Sequence, residues 1–129
     1  MVLTLATPVK KFFEKLEVEE VIVPADKGEL NILIGHSPIL TTLTEGVLSY
    51  RTNGETKKIA ISWGYCEISG EEIQVLAEIA IAPEDIVKAD VEAEIKASEK
   101  RIADGMEPDD LDKELSKVRQ GHAKLHTIQ

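Results

Sequence analysis

"AEIAIAPEDIVKADVEAEIKAS", residues 77–98, joins two kinds of chain. Before Pro83, short apolar runs are punctuated by turn residues. After it comes a stretch rich in Ala, Glu and Lys, with no Gly or Pro between 84 and 104. Val87, Val91, Ile95, Ser98 and Ile102 recur at spacings of three and four, the period of one helix face. Pro83 followed by Glu84 and Asp85 suits a helix start, and Gly105 suits its C-terminal cap. A second helix is predicted from near Asp109, with Leu111, Leu115, Val118, His122 and Leu125 as its stripe. Its acids crowd the first turn and its bases the second half, which complements a helix dipole. Gly121 costs about 1 kcal/mol relative to Ala inside a helix, so fraying is expected there. Ala89, Ala93, Ala97 and Ala103 are expected at the helix–helix contact, where they bury little apolar area.

Upstream of the switch the periods shorten. Val2, Leu3 and Leu5 open one run; Val18 and Val21 to Val23 form another, stopped by Pro24. Leu30, Ile32 and Ile34 alternate with Asn31 and Leu33. Val47, Leu48 and Tyr50 precede Asn53-Gly54, a hairpin turn signal. Runs at Ile59–Ile61, Tyr65–Ile68 and Ile73–Leu76 follow, the last two separated by a tight turn at "SGEE", 69–72. Strand-like runs with turns every 8–12 residues predict a β-sandwich or flattened barrel. The predicted architecture is therefore an N-terminal β-sandwich domain, residues 1–82, followed by a C-terminal antiparallel α-helical hairpin, residues 83–129.

The formal charge is −9, from 15 basic and 24 acidic residues. Such a balance disfavours nucleic acid, which needs clustered Lys and Arg, and disfavours insertion into anionic lipid. One cysteine, Cys66, permits no internal disulfide, and with no leader visible this points to a reducing compartment. No run approaches the roughly 18 apolar residues of a membrane span.

Chemical equipment is sparse. His36 beside Ser37 in "GELNILIGHSPIL", residues 28–40, lacks a third orienting group and a G-x-S-x-G elbow, so a turn or interface role outweighs hydrolysis. His122 and His126 stand one helical turn apart without HExxH or a second cysteine, so no metal is expected. Phosphate-binding glycine loops are missing. Cys66, in an apolar alternation, reads as a small buried hydrophobe. Trp63 before Gly64 reads as a core or rim anchor, with an exposed contact residue as the alternative. These features favour an interaction subunit over an enzyme.

Residues 23–46 carry a longer pattern. They resemble the epsilon subunit family of F-type ATP synthases, called delta in mitochondria, whose pattern V-P-x-x-x-G-E-x-x-I-x-x-G-H-x-P-L-L-T-x-L-x-x-G is matched from Val23-Pro24 through Gly28-Glu29, Gly35-His36 and Pro38 to Gly46. A later block, S-G-G-x-x-E-V, is met by Ser62 to Ile68 with Trp63 in place of the first glycine. The resemblance implies a rotor subunit without a catalytic site or cofactor, whose β-domain binds the gamma subunit and the c-ring. It places Glu29, Asn31, Gly35, His36, Ser37 and Pro38 at that interface. It also implies a hairpin that can extend into the alpha/beta catalytic head and inhibit ATP hydrolysis, through the basic residues Lys113, Lys117, Arg119 and Lys124. The implied location is the cytoplasmic face of a bacterial inner membrane, held peripherally. An ATP-binding pattern of some relatives, I/L-D-x-x-R-A-x-x-R, is not kept: Val87 and Asp90 stand at its Asp and first Arg positions. A carboxylate where a guanidinium should meet a triphosphate argues against tight ATP binding. A free-standing regulatory binding module is the alternative reading.

Overall fold

The computed structural model describes residues 1–33 and 38–129. Eight strands precede two helices: β1 Val2–Ala6, β2 Lys11–Glu17, β3 Glu20–Ala25, β4 Gly28–Ile32, β5 Ile39–Leu43, β6 Gly46–Thr52, β7 Glu55–Ser69, β8 Glu72–Ile81, α1 Lys88–Ala103 and α2 Pro108–Thr127. This is the sandwich-then-helices architecture that the sequence predicts. Asn53 and Gly54 both take positive φ, 52° and 75°, the geometry of a primed hairpin turn between β6 and β7.

The strands form one folded network. Its main path runs β2-β1-β8-β7-β5-β3-β4, and β6 bridges β3 and β7. The 15-residue β7 organises it. Its first part pairs with β6 (Val47 opposite Ala60), its later part with β5 (Thr42 opposite Tyr65), and most of its length with β8. The backbone turns at Trp63, whose φ is 30°. Next to it, a Cβ on Gly64 would strike the β8 backbone at Leu76 and Ala77, so glycine is what lets β8 pass there. Alternation along β8 sends Ile73, Val75 and Ala77 inward, where they join Leu3, Leu5, Val21, Val23, Leu48, Cys66 and Ile68. The core is almost wholly aliphatic, as the scarcity of aromatic residues requires.

Several local expectations are corrected. Pro24 does not stop a strand but lies inside β3. It sits in the gap between the β6 pairing, which ends at Ile22–Ser49, and the β5 pairing at Ala25–Leu43, so neither of those ladders needs the N–H that proline lacks. The two runs at Ile59 and Tyr65 are one bent strand. β2 and β5 carry no clean alternation in the sequence. β2 is broken by Lys15 at φ 50° and shifts register twice against β1.

The helices also depart from expectation. Pro83–Asp85 makes only a 3-10 turn, and Ile86 and Val87 remain extended before α1. No side chain caps α1, so the helix starts after the β-branched Val87, which is 57% exposed and off the stripe. Val91, Ile95 and Ser98 are buried as expected, but Ala89, Ala93 and Ala97 face solvent. On α2 the predicted stripe is only partly right: Leu111, Val118 and Leu125 are half-buried. Glu114, Ser116, Gly121, Ala123 and Thr127 are buried, while Leu115 and His122 are exposed. The reason is that α2 packs both against α1 and against β6 and β7, so close approach favours small and polar residues. Gly121 does not fray the helix, which runs on to Thr127. A Cβ there would come within 2.6 Å of Ile95 Cγ1, so glycine lets α1 and α2 touch.

Gly121→Ala therefore sets about 1 kcal/mol of gained helix propensity against about 1–3 kcal/mol of overpacking. A net destabilisation is expected, lowering Tm by a few degrees in thermal unfolding, and in a double-mutant cycle with Ile95→Ala the cost of Gly121→Ala should largely vanish, because the side chain it strikes is gone.

Candidate interaction surfaces

Three surfaces stand out. The first is the β3–β4 hairpin. Glu29 and Asn31 alternate with Leu30 and Ile32 along β4 and are exposed, as is Pro38. Gly35, His36 and Ser37 lie outside the described residues. Glu29 also lines a cleft of about 600 Å3 together with Glu45, Lys58, Arg119, His122 and His126, so it faces the hairpin as well as solvent. Among the described residues no group of three or more His, Cys, Asp or Glu is placed to hold a metal ion.

The second surface is the seat of α2. Thr44 and Glu45 join β5 to β6, and the Glu45 side chain is 1% exposed. Its carboxylate accepts three side-chain hydrogen bonds: from Ser116 Oγ, from Arg119 Nε at 3.3 Å and from Thr44 Oγ1 at 2.8 Å. Burial works to raise the Glu45 carboxyl, but the bonds from Ser116, Thr44 and Arg119 outweigh it and hold it below the usual range. Glu114 is fixed from two sides, by Arg101 Nη2 at 3.1 Å and Lys117 Nζ at 3.2 Å. The Arg101 guanidinium above all, with Ser98 and Lys117, pulls its carboxyl down to about 2. Of the basic residues singled out on the last helix, Arg119 is thus committed to the sandwich and Lys117 to Glu114. Lys113 is exposed, and Lys124 lines a cleft with Arg101 and Lys117 between the helices. Lys113, Lys117 and Arg119 nevertheless line one cleft in the folded hairpin, and Lys117 and Lys124 another.

The third surface was missed by sequence reasoning. On the outer face of the sandwich, Leu40 is 70% exposed, Tyr65 57%, Leu76 55% and Trp63 46%. Register accounts for part of this: Thr42 stands opposite Tyr65, Tyr65 opposite Leu76, and Leu76 opposite Ala6, one row across four strands, while Leu40 lies two residues along β5 from Thr42, opposite Glu67. A cleft of about 710 Å3 runs along this row, with Trp63 and Pro8 among its walls. A contiguous exposed apolar face of this kind marks an interaction site. Its signal lay in the phase: Leu76 is an apolar residue on the solvent-facing positions of β8, and Tyr65 stands one residue off the buried Cys66. Trp63 is thus an exposed contact residue rather than a core anchor. Cys66 is buried, and desolvation pushes its thiol up to about 12, so it is inert packing.

Glu45, which joins α2 to the sandwich, and Glu114, which joins α2 to α1, both have lowered values in the folded state, so their contribution is present above the ordinary value near 4.5 and is lost as pH falls through the folded values. Emission of Trp63, the single tryptophan, which shares a cleft with α2, is expected to hold steady from pH 8 to 5. It should then shift on further acidification, below the ordinary carboxylate range, as Glu45 is protonated and the hairpin undocks. Glu45→Gln should remove part of that acid transition.

Comparison with known proteins agrees with this architecture. The family model for the ATP synthase delta/epsilon chain β-sandwich domain matches residues 1–83. The ATP synthase epsilon chain of Bdellovibrio bacteriovorus is 47% identical over 104 residues, covering 79% of this chain and 74% of the relative. That of Koribacter versatilis is 38% identical over 92 residues, covering 71% and 65%. Among solved structures, a chain of the Euglena gracilis mitochondrial ATP synthase, in an assembly of OSCP, F1 and c-ring, superposes with a TM-score of 0.73 at 22% identity. The match covers 99% of this chain and 76% of that one and shows the shared fold through both helices. The chain therefore belongs to the ATP synthase delta/epsilon family, as a non-catalytic epsilon chain.

Proposed function

We propose that this chain is a central-stalk rotor subunit that couples proton translocation to ATP synthesis, and that its hairpin restrains ATP hydrolysis. The observation that carries the coupling reading is the outer apolar row of Leu40, Tyr65, Leu76 and Trp63. A rotor subunit must hold its neighbour through every turn. An aromatic and aliphatic face with a cleft offers the anchors that dominate protein–protein affinity. Gamma is the partner assigned to it. The polar β4 edge, with Glu29 and Asn31, and the following segment of Gly35, His36, Ser37 and Pro38 are assigned to the polar loops of the c-ring. Carboxylate and amide side chains there supply directional contacts rather than greasy adhesion. Among the described residues no helix is long and apolar enough to cross a membrane. The proposed location is peripheral, at the cytoplasmic face of a bacterial inner membrane, through those partners.

The inhibitory reading rests on the seat of α2. Its polar anchors are Glu45, Ser116 and Arg119, and the buried residues of α2 beside them are small, Gly121 and Ala123, so few large apolar side chains of the helix itself hold it down. Once released, Lys113, Lys117, Arg119 and Lys124 offer a basic strip to the alpha/beta head.

Leu76→Asp and Tyr65→Asp should each weaken co-purification with gamma by about 30-fold or more while leaving the fold intact, since both side chains already face water. Binding unchanged in both would remove the apolar face from the interface. In the assembled complex, truncation after Ala82 is expected to raise ATP hydrolysis several-fold. Unchanged hydrolysis in a complex that still assembles would leave the hairpin a structural element only.

A further inference from the structure

We propose that Ser116 and Arg119 form a carboxylate-binding site on α2, that Glu45 fills it in the docked hairpin, and that an acidic segment of another chain displaces Glu45 from it. The proposal deepens the inhibitory reading above, on which its physiological meaning rests, but the site itself can be tested without it.

The geometry is that of a receptor. Ser116 and Arg119 are three residues apart on a helix and so share a face. Each takes a different oxygen of one carboxylate, Ser116 Oγ bonding Oε1 and Arg119 Nε bonding Oε2. The serine is held in a donating orientation, because Gln120 Nε2 donates to Ser116 Oγ at 3.2 Å and leaves the hydroxyl hydrogen for the carboxylate. Arg119 gives Glu45 its Nε, yet its side chain is 56% exposed. The other guanidinium nitrogens therefore remain within reach of a second carboxylate before Glu45 leaves. The approach is open as well. A cleft of about 550 Å3 between Trp63 and α2 borders Glu45, Ser116 and Arg119, and Lys113 and Lys117 line it together with one acid, Asp112. Residues 113–124 carry Lys113, Lys117, Arg119 and Lys124 against one acid, Glu114, which is already paired.

Exchange of one carboxylate for another costs little net energy, because the buried hydrogen bonds are remade rather than lost. What decides the occupant is effective concentration. Glu45 is tethered to the site, so a displacing segment must be held nearby at a comparable local concentration. The isolated chain then stays docked, and only a chain seated beside an acidic neighbour opens. Arg119 thus belongs both to the latch and to the basic residues of α2, and Glu45 is the internal stand-in for the partner.

The test uses the full chain and a short polyglutamate peptide as probe. Glu45→Gln vacates the site and keeps its shape. It should shift Trp63 emission toward that of the undocked hairpin and bind polyglutamate about tenfold tighter than the unmodified chain. Adding Arg119→Gln to Glu45→Gln should abolish most of that gain, while Lys113→Gln should cost it only about twofold. Should Glu45→Gln fail to fold, Glu45→Asp, which keeps the charge and shortens the reach, is expected to gain about threefold. Equal peptide binding by the unmodified chain and the Glu45 variants overturns the site. So does equal binding by Glu45→Gln with and without Arg119→Gln, since that would be charge attraction alone. Hydrolysis by the assembled complex separates the two readings. Tighter peptide binding with unchanged hydrolysis keeps the site and removes the inhibitory role. Lower hydrolysis with unchanged peptide binding removes the site.

Discussion

Everything in this fold hangs on β7 being able to serve three strands at once. It pairs with β6, then with β5, and with β8 along most of its length. A flat strand cannot lie in both halves of a closed sandwich, so β7 turns at Trp63 and admits the β8 backbone against Gly64. The same bend sets both surfaces that matter. β5 and β6 meet β7 in one register, Leu43 opposite Gly64 and Gly46 opposite Ile61. Thr44 and Glu45 are the residues left over at the bend. Released from strand pairing, Glu45 turns under α2, while Trp63 turns outward to the apolar row.

The hairpin is attached by different chemistry from the sandwich. The sandwich is closed by Leu, Ile and Val that are almost fully out of water. The hairpin holds itself together through Val91 and Ile95 against Gly121, and holds to the sandwich through a carboxylate, a hydroxyl and a guanidinium. Apolar burial is indifferent to pH and salt over wide ranges, whereas a charged latch is not.

The division between strands and helices was legible because period and composition change together at Pro83. The turns were legible because Asn53-Gly54 and Gly70 need positive φ, which few residues supply. The face of α1 was largely legible too, but that of α2 only in part. A single stripe is expected when a helix has one neighbour, but α2 has two and meets both through residues that hydropathy scores as polar or neutral. β5 was hidden because Leu40 points out to the apolar face while Ile39 and Leu43 point in, which erases alternation. The interface residues divide in the same way. Glu29 and Asn31 were readable from the extended motif and are exposed, whereas Leu40, Tyr65 and Leu76 are meaningful only once register aligns them. His36, the most conspicuous residue of the sequence, lies with Gly35 and Ser37 outside the described residues.

The parallel seating of β1 beside β8 has a consequence for how the chain is made. Val2 pairs with Glu72 and Ala6 with Leu76, partners seventy residues apart. Closing so long a loop is entropically slow, and contacts between distant residues delay folding. β1 is made well before β8 and is therefore among the later strands to be fully seated. Until β8 is made, β2 is the one strand among the described residues with which β1 can pair.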